Sequence, residues 1–311
     1  MHQSTTVVIC AYTHDRWLDL GRAIQSVESQ RQPPSEIILV IDHNPELESR
    51  ARAAFPNATV VPNSANRGLS GARNTGVGGA TGDVIAFLDD DAAADPDWLA
   101  RLLPAFDDPQ VMGAGGSATP DWSTERPGWF PDEFDWVIGC SYRGLPDRVE
   151  PVRNPLGCNM AFRRRVFTVV GGFRNDFGRV GTTPTGAEET EFCVRLAHHD
   201  PTWQVLYVPT ARVQHRVPAT RATWRYFLNR CYGEGLSKAH LRRVAGVRRA
   251  LSSERQYATR TLPSGFARLI RRGELRRAAM IIVGLSATGA GFVAGSLTRV
   301  AVGEAAGSAA K

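Results

Sequence analysis

Three adjacent carboxylates, Asp89-Asp90-Asp91, close the apolar run Val84-Ile85-Ala86-Phe87-Leu88. Anions side by side repel one another unless a cation neutralises them, and hard oxygen donors suit Mg²⁺ or Mn²⁺. In extended backbone, alternation turns Asp89 and Asp91 to one side and Asp90 to the other. The alternative is a solvated acidic turn ahead of Asp95-Pro96-Asp97-Trp98-Leu99, since acids favour helix starts.

Three further clusters carry chemistry. Asn66-Arg67-Gly68-Leu69-Ser70-Gly71-Ala72-Arg73-Asn74 stands at a helix start, where small residues admit a ligand close to the backbone and Arg73 favours phosphate. Glu188-Glu189-Thr190-Glu191 either decorates a helix N-terminus or supplies a general base, which needs one carboxylate aimed into a cleft. His215, in Val213-Gln214-His215-Arg216, is a structural residue, a metal ligand or a hydrogen-bond partner of phosphate.

These groups need a scaffold, and the first half of the chain supplies an alternating one. Strand-like runs at 7–11, 36–41, 59–62 and 84–88 alternate with helical patterns at 18–30, 46–55, 69–80 and 97–106. That rhythm predicts an α/β domain with a mostly parallel sheet, whose ligands gather at the carboxyl ends of the strands. Tyr12 to Asp15, Asp42 and the Asp89–Asp91 triplet all fall at such ends. Beyond Val111 the pattern loosens: Gly113-Ala114-Gly115-Gly116 and residues 120–155, with Trp122, Trp129 and Trp136, read as a long binding loop. The tryptophans there either line an acceptor site or pack beneath the loop. A strand entering a helix is predicted at 159–165, a helix at 188–198 and a strand at 205–208.

The 311 residues, 42% hydrophobic, suffice for a full core. Net charge is +6, yet from Arg212 onward 19 Lys and Arg stand against 4 Asp and Glu, so the rest of the chain is acidic. The tail carries arginine pairs at 242/243, 248/249, 271/272 and 276/277, then the uncharged, Gly- and Ala-rich residues 278–298. That length suits a bilayer span or an interfacial helix, and the arginines favour the cytoplasmic face. The five scattered cysteines include no CxxC pair, so a reducing cytoplasm is expected, and no secretory leader is visible. No motif supports a nucleic-acid partner.

Taken in order, the motifs resemble a family 2 glycosyltransferase of the GT-A fold. They are Val7-Val8-Ile9-Cys10-Ala11-Tyr12, Asp42, Asn66 with Gly71-Ala72-Arg73-Asn74, Phe87-Leu88-Asp89-Asp90-Asp91, Asn159-Met160-Ala161-Phe162-Arg163-Arg164 followed by Gly171-Gly172-Phe173, and Glu188-Glu189 with Arg195-Leu196. The resemblance covers about residues 5–220. It implies a single Rossmann-like GT-A domain over 1–220, with a nucleotide-sugar half at 5–110 and an acceptor half at 111–220. Residues 221–311 would form a basic, helical, membrane-associated region.

By the same resemblance Tyr12 and Asp42 hold the nucleotide base, and Arg73 lies near the nucleotide or diphosphate. Asp89, with Asp90 beside it, serves the ribose side and Asp91 the Mg²⁺ or Mn²⁺ ion, for which Asp89 and, from its own residue type, His215 are further candidate ligands. Glu189, or Glu188 beside it, deprotonates an acceptor hydroxyl that attacks the anomeric carbon and inverts it. The expected donor is a UDP-sugar, and the expected acceptor is a glycan or lipid-linked sugar at the cytoplasmic face of the plasma membrane. Two departures stand out: Cys10-Ala11-Tyr12-Thr13-His14 replaces the family's Pro-Thr-Tyr-Asn, and Glu replaces the usual catalytic Asp. The Gln-x-x-Arg-Trp motif of processive synthases is absent, which favours single additions. A nucleotide-sugar binder without catalysis is the competing reading. A nucleotidyltransferase fits less well, because Tyr12-Thr13-His14-Asp15-Arg16 lacks glycine.

Overall fold

The computed structural model describes residues 3–177, 186–245 and 252–297; Arg248, Arg249 and Thr298, named above, lie outside these. Four strands, β1 (Thr5–Ala11), β2 (Glu36–Ile41), β3 (Thr59–Pro62) and β4 (Val84–Asp89), form a parallel unit in the order β3-β2-β1-β4. Their Val, Ile and Leu side chains are buried on both faces, as a parallel sheet covered by crossover helices requires. The crossovers are α1 (Trp17–Glu28), α2 (Pro45–Ala54) and α3 (Leu69–Gly79). α1 buries Leu20, Ala23, Ile24 and Val27, one stripe at helical spacing. α2 starts where the Asn44 side chain accepts from the Leu47 N–H and Pro45 fills the first turn. The carboxyl ends of β1, β2 and β4 therefore open on one edge.

Past β4 the sheet departs from the expectation of mostly parallel pairing. The added elements are β5 (Ala92–Ala94), α4 (Trp98–Leu102), β6 (Val111–Trp122), β7 (Glu150–Pro151), β8 (Asn159–Arg163), α5 (Arg164–Val170), α6 (Glu188–His199) and β9 (Gln204–Val217). β8 runs antiparallel to β4 and β6, β6 runs parallel to β9, and β5 and β7 pair antiparallel with β9. The result is a mixed sheet, all-parallel over β3-β2-β1-β4 and with a further parallel pair, β6 and β9, beyond it.

The glycines at 113–116 lie inside β6, not in a loop. A Cβ on Gly113 would stand 2.6 Å from the Phe162 ring and one on Gly115 2.7 Å from the Asn159 carbonyl oxygen, while one on Gly116 would strike the Ala211 carbonyl. Close approach of neighbouring chain, not a turn, selects glycine here. The helix predicted at 97–106 is α4 followed by a tighter turn over Leu103–Asp107, with Pro104 unable to donate. β9 outruns its predicted 205–208 and carries His215 within the strand.

The C-terminal helices are α7 (Trp224–Ala245), α8 (Ser252–Gln256), α9 (Leu262–Arg271) and α10 (Leu275–Leu297). They share a core with the Trp-rich segment: Phe130, Phe134, Val137 and Ile138 pack with Phe227, Cys231, Leu262, Leu269, Met280 and Ile281. Trp129 stacks on Trp224 with centroids 4.9 Å apart. Trp122, Trp129 and Trp136 are each half-buried against this core. α10, 23 residues long with an 18-residue stretch of mean hydropathy 1.8, presses Gly291 onto the Tyr232 carbonyl and Gly295 onto Ala239. Its other face leaves Leu275, Ile282, Leu285, Val293 and Leu297 exposed.

Candidate active site

β4 ends at Asp89, and Asp90 and Asp91 form the turn into β5. Asp91 is buried and heavily contacted: His215 Nε2 lies 3.2 Å from its Oδ1, while Arg16 Nη1 at 3.2 Å and Arg221 Nη2 at 3.3 Å approach Oδ2. The Arg216 N–H also donates to its carbonyl at 2.7 Å. Burial opposes its charge, but His215, Arg16 and Arg221 together hold the carboxyl far below the usual carboxylate range. Asp90 turns away and takes Arg16 Nη1 at 2.7 Å on Oδ1. Its Oδ2 is buried with no partner among the described residues. Burial first, despite Arg16, and then Asp91 beside it push the Asp90 carboxyl up to about 7.

Asp89, Asp91 and His215 each offer a ligand atom within 4.8 Å of the others. Two carboxylates and an imidazole make a donor set suited to Mn²⁺ and tolerant of Mg²⁺. The unpartnered buried oxygen of Asp90 beside them is a polar group of the kind that a bound ion with its water satisfies. The residues present therefore fit a divalent cation. Gly139 backs the imidazole in a left-handed conformation (φ 80°), and a Cβ there would press to 3.0 Å of His215 Cε1.

Arg73 is buried and engaged by protein groups. Its side chain is only 2% exposed, and Nη1 pairs with Glu188 Oε1 at 2.8 Å while Nη2 meets Asp89 Oδ1 at 3.2 Å and the Gly157 carbonyl at 2.9 Å. It is a strut beneath the cleft, not a group facing it. Through this strut the start of α6 is held one guanidinium away from Asp89. Glu188 is thereby committed. Glu189, partly exposed, meets no cation at ion-pair distance among the described residues; it accepts from the Thr190 hydroxyl at 3.1 Å and from its own backbone N–H. Burial, then repulsion from Glu188, push its carboxyl up to about 7.

At the neighbouring strand ends, Tyr12 is 46% exposed with the Arg16 guanidinium 5.5 Å from its ring centre. Asp42 is buried and occupied: Asn63 Nδ2 donates at 2.6 Å and the Gly68 N–H at 2.9 Å, which ties the loop before α3 to the end of β2. Reading the sequence missed Arg16 and Arg221. Arg16 stood in a turn noted for lacking glycine, and Arg221 was counted only as part of the basic tail. The signal for both was position: each follows a strand whose end carries a site residue.

A mixed α/β sheet with a carboxylate–imidazole cluster at the parallel strand ends defines a nucleotide-sugar enzyme scaffold of GT-A type. The chain belongs to glycosyl transferase family 2, whose model matches residues 6–171. It is 36% identical over 237 residues to the glucosyl-dolichyl phosphate glucuronosyltransferase of Haloferax volcanii, covering 75% of both chains. It is 26% identical over 253 residues to the succinoglycan biosynthesis protein ExoM of Rhizobium meliloti, covering 78% of this chain and 77% of that one. In fold it is similar to the mannosyltransferase PcManGT from Pyrobaculum calidifontis, solved with GDP-Man and Mn²⁺. The TM-score is 0.62 at 18% identity, over 96% of this chain and 88% of the other. GalNAc-T7, solved with UDP, GalNAc and Mn²⁺, matches with a TM-score of 0.53 at 20% identity over 69% of this chain and 43% of that one.

Proposed function

We propose that the protein transfers a sugar from a nucleoside-diphosphate donor to the hydroxyl of a lipid-linked saccharide, with inversion at the anomeric carbon. The observation that carries this is the Asp89–Asp91–His215 cluster joined through Arg73 to the α6 helix start, where Glu188 is ion-paired and Glu189 meets no cation at ion-pair distance among the described residues. Asp89, Asp91 and His215 would hold a Mg²⁺ or Mn²⁺ ion, which supplies positive charge to the departing diphosphate.

The remaining roles belong to the chain. Glu189 accepts the proton of the acceptor hydroxyl, whose oxygen attacks the anomeric carbon on the face opposite the diphosphate. One such displacement inverts the configuration. A carboxyl poised near 7 is suited to this exchange, since a base works best when its pKa lies near the working pH. Arg73 acts indirectly, fixing Asp89 and Glu188 so that Glu189 faces the donor. Tyr12 offers an exposed ring for the nucleotide base, and Asp42 shapes the loop beside it.

The acceptor assignment draws on the Haloferax relative, whose name gives a dolichyl-phosphate-linked glucose as its substrate, and on the exposed apolar face of α10 flanked by Arg271, Arg272 and Arg276. Because α10 is packed lengthwise on α7 and on the Trp-rich core, this face suits in-plane contact with an anionic leaflet, and the arginines favour the cytoplasmic one. The test is a thermal-shift screen of UDP-, GDP- and dTDP-sugars with and without Mn²⁺, since a ligand bound only by the native state raises the melting point. One donor class is expected to stabilise the protein in a Mn²⁺-dependent way. No shift with any of them would overturn the proposal.

A further inference from the structure

Most of the negative charge around the proposed metal site is already compensated without a metal. Asp90 and Asp91 are matched by Arg16 and Arg221, and Asp89 shares Arg73 with Glu188. A divalent ion arriving alone at Asp89, Asp91 and His215 would meet two guanidinium groups bonded to the same Asp91 oxygen. Like charges at such separations in a buried setting repel strongly. An ion that arrives with a diphosphate brings the negative charge that relieves this repulsion.

The two arginines are not equivalent. Arg221 is 8% exposed, set deep behind Asp91. Arg16 is 26% exposed, stands on the short turn His14–Arg16 directly after β1, and lies beside the exposed Tyr12 ring. Its Asp90 partner keeps one buried oxygen without a hydrogen bond among the described residues, so the ion pair leaves this spot incompletely satisfied.

We infer that Arg16 makes divalent-metal binding conditional on a nucleoside diphosphate: it rests on Asp90 and Asp91 when the cleft is empty and transfers to the diphosphate when metal and nucleotide enter together. The inference rests on the reading of Asp89, Asp91 and His215 as metal ligands. It adds a positioning residue that couples the two ligands and orders their binding. No bond is made or broken; the guanidinium exchanges one anionic partner for another.

The test measures Mn²⁺ binding by the disappearance of the free-ion EPR signal, alone and with UDP or GDP, on the full chain. Wild-type protein is expected to bind Mn²⁺ about tenfold or more tightly when a nucleoside diphosphate is present, a coupling of ordinary allosteric size. Arg16→Gln should bind Mn²⁺ alone more tightly than wild type and lose most of that coupling. Arg16→Lys, which keeps the charge, should retain it. Circular dichroism melting of each variant verifies the fold. If wild type and Arg16→Gln show the same Mn²⁺ affinity and the same coupling, the role of Arg16 is overturned while the metal site stands. If the lysine variant behaves as the glutamine one, the charge argument is overturned. If no protein binds Mn²⁺ with or without nucleotide, the metal reading itself falls, and this inference with it.

Discussion

Arg73 Nη1 lies 2.8 Å from Glu188 Oε1, and this buried ion pair fastens the start of α6 to the carboxyl end of β4. It occupies Glu188 and so supports the reading of Glu189 as the base of the acidic pair. Glu188 is occupied by a buried guanidinium, whereas Glu189 beside it meets no cation at ion-pair distance among the described residues.

Substitution at the pair should therefore split cleanly. Glu189→Gln is expected to lower kcat by about 10²–10⁴-fold, the range for loss of a general base, with donor affinity nearly unchanged. Glu188→Gln should weaken donor binding and lower the melting point, because it leaves Arg73 with less counter-charge in the interior. Steady-state kinetics with calorimetric donor binding distinguish the two.

The pH dependence has a defined sign. With the Glu189 carboxyl raised to about 7, the base is protonated below that pH and kcat/KM should fall about tenfold per unit on the acid side. Asp90 is raised to about 7 as well, so the Glu189→Gln profile is informative. A limb that vanishes with Glu189 belongs to the base, and one that persists belongs to the metal-side pair.

Asp91 calls for a gentle substitution. Removal to alanine would leave the buried Arg221 without its partner, at a cost of about 3–5 kcal/mol. Asp91→Asn keeps the shape and an acceptor oxygen while removing the charge. The expected result is a folded protein by thermal melting that has lost Mn²⁺ binding and at least about 10²-fold of its turnover.

The exposed face of α10 predicts binding to anionic vesicles. Combined Ile282→Ser, Leu285→Ser and Val293→Ser should weaken sedimentation with such vesicles by about 10²-fold or more, from the apolar area each residue would bury. Raising the salt should remove only the arginine-dependent share.

Much of this was legible in the sequence, and the reason is local. β1, β2 and β4 announce themselves as short apolar runs, and their ends put Tyr12, Asp42 and Asp89 on one edge by topology alone. Asp89 and Asp91 came out within ligand distance of His215, as expected, although Asp90 and Asp91 lie in the turn after β4 and Arg16 bridges the two. What was not legible depends on distant chain. Glycine in β6 serves packing against Phe162 and Ala211, which composition cannot distinguish from a loop. Arg73 reads as a phosphate ligand until Glu188, far along the chain, claims it. Arg16 and Arg221 meet at Asp91 only once β1 and β9 are placed in one sheet.

The most direct measurement is NMR of the product anomer from a Mn²⁺-supported transfer reaction, run with wild type and Glu189→Gln. The account predicts a product inverted relative to the donor from the wild type, no transfer without divalent metal, and nearly none from Glu189→Gln. A product of retained configuration, or undiminished transfer by Glu189→Gln, would contradict it.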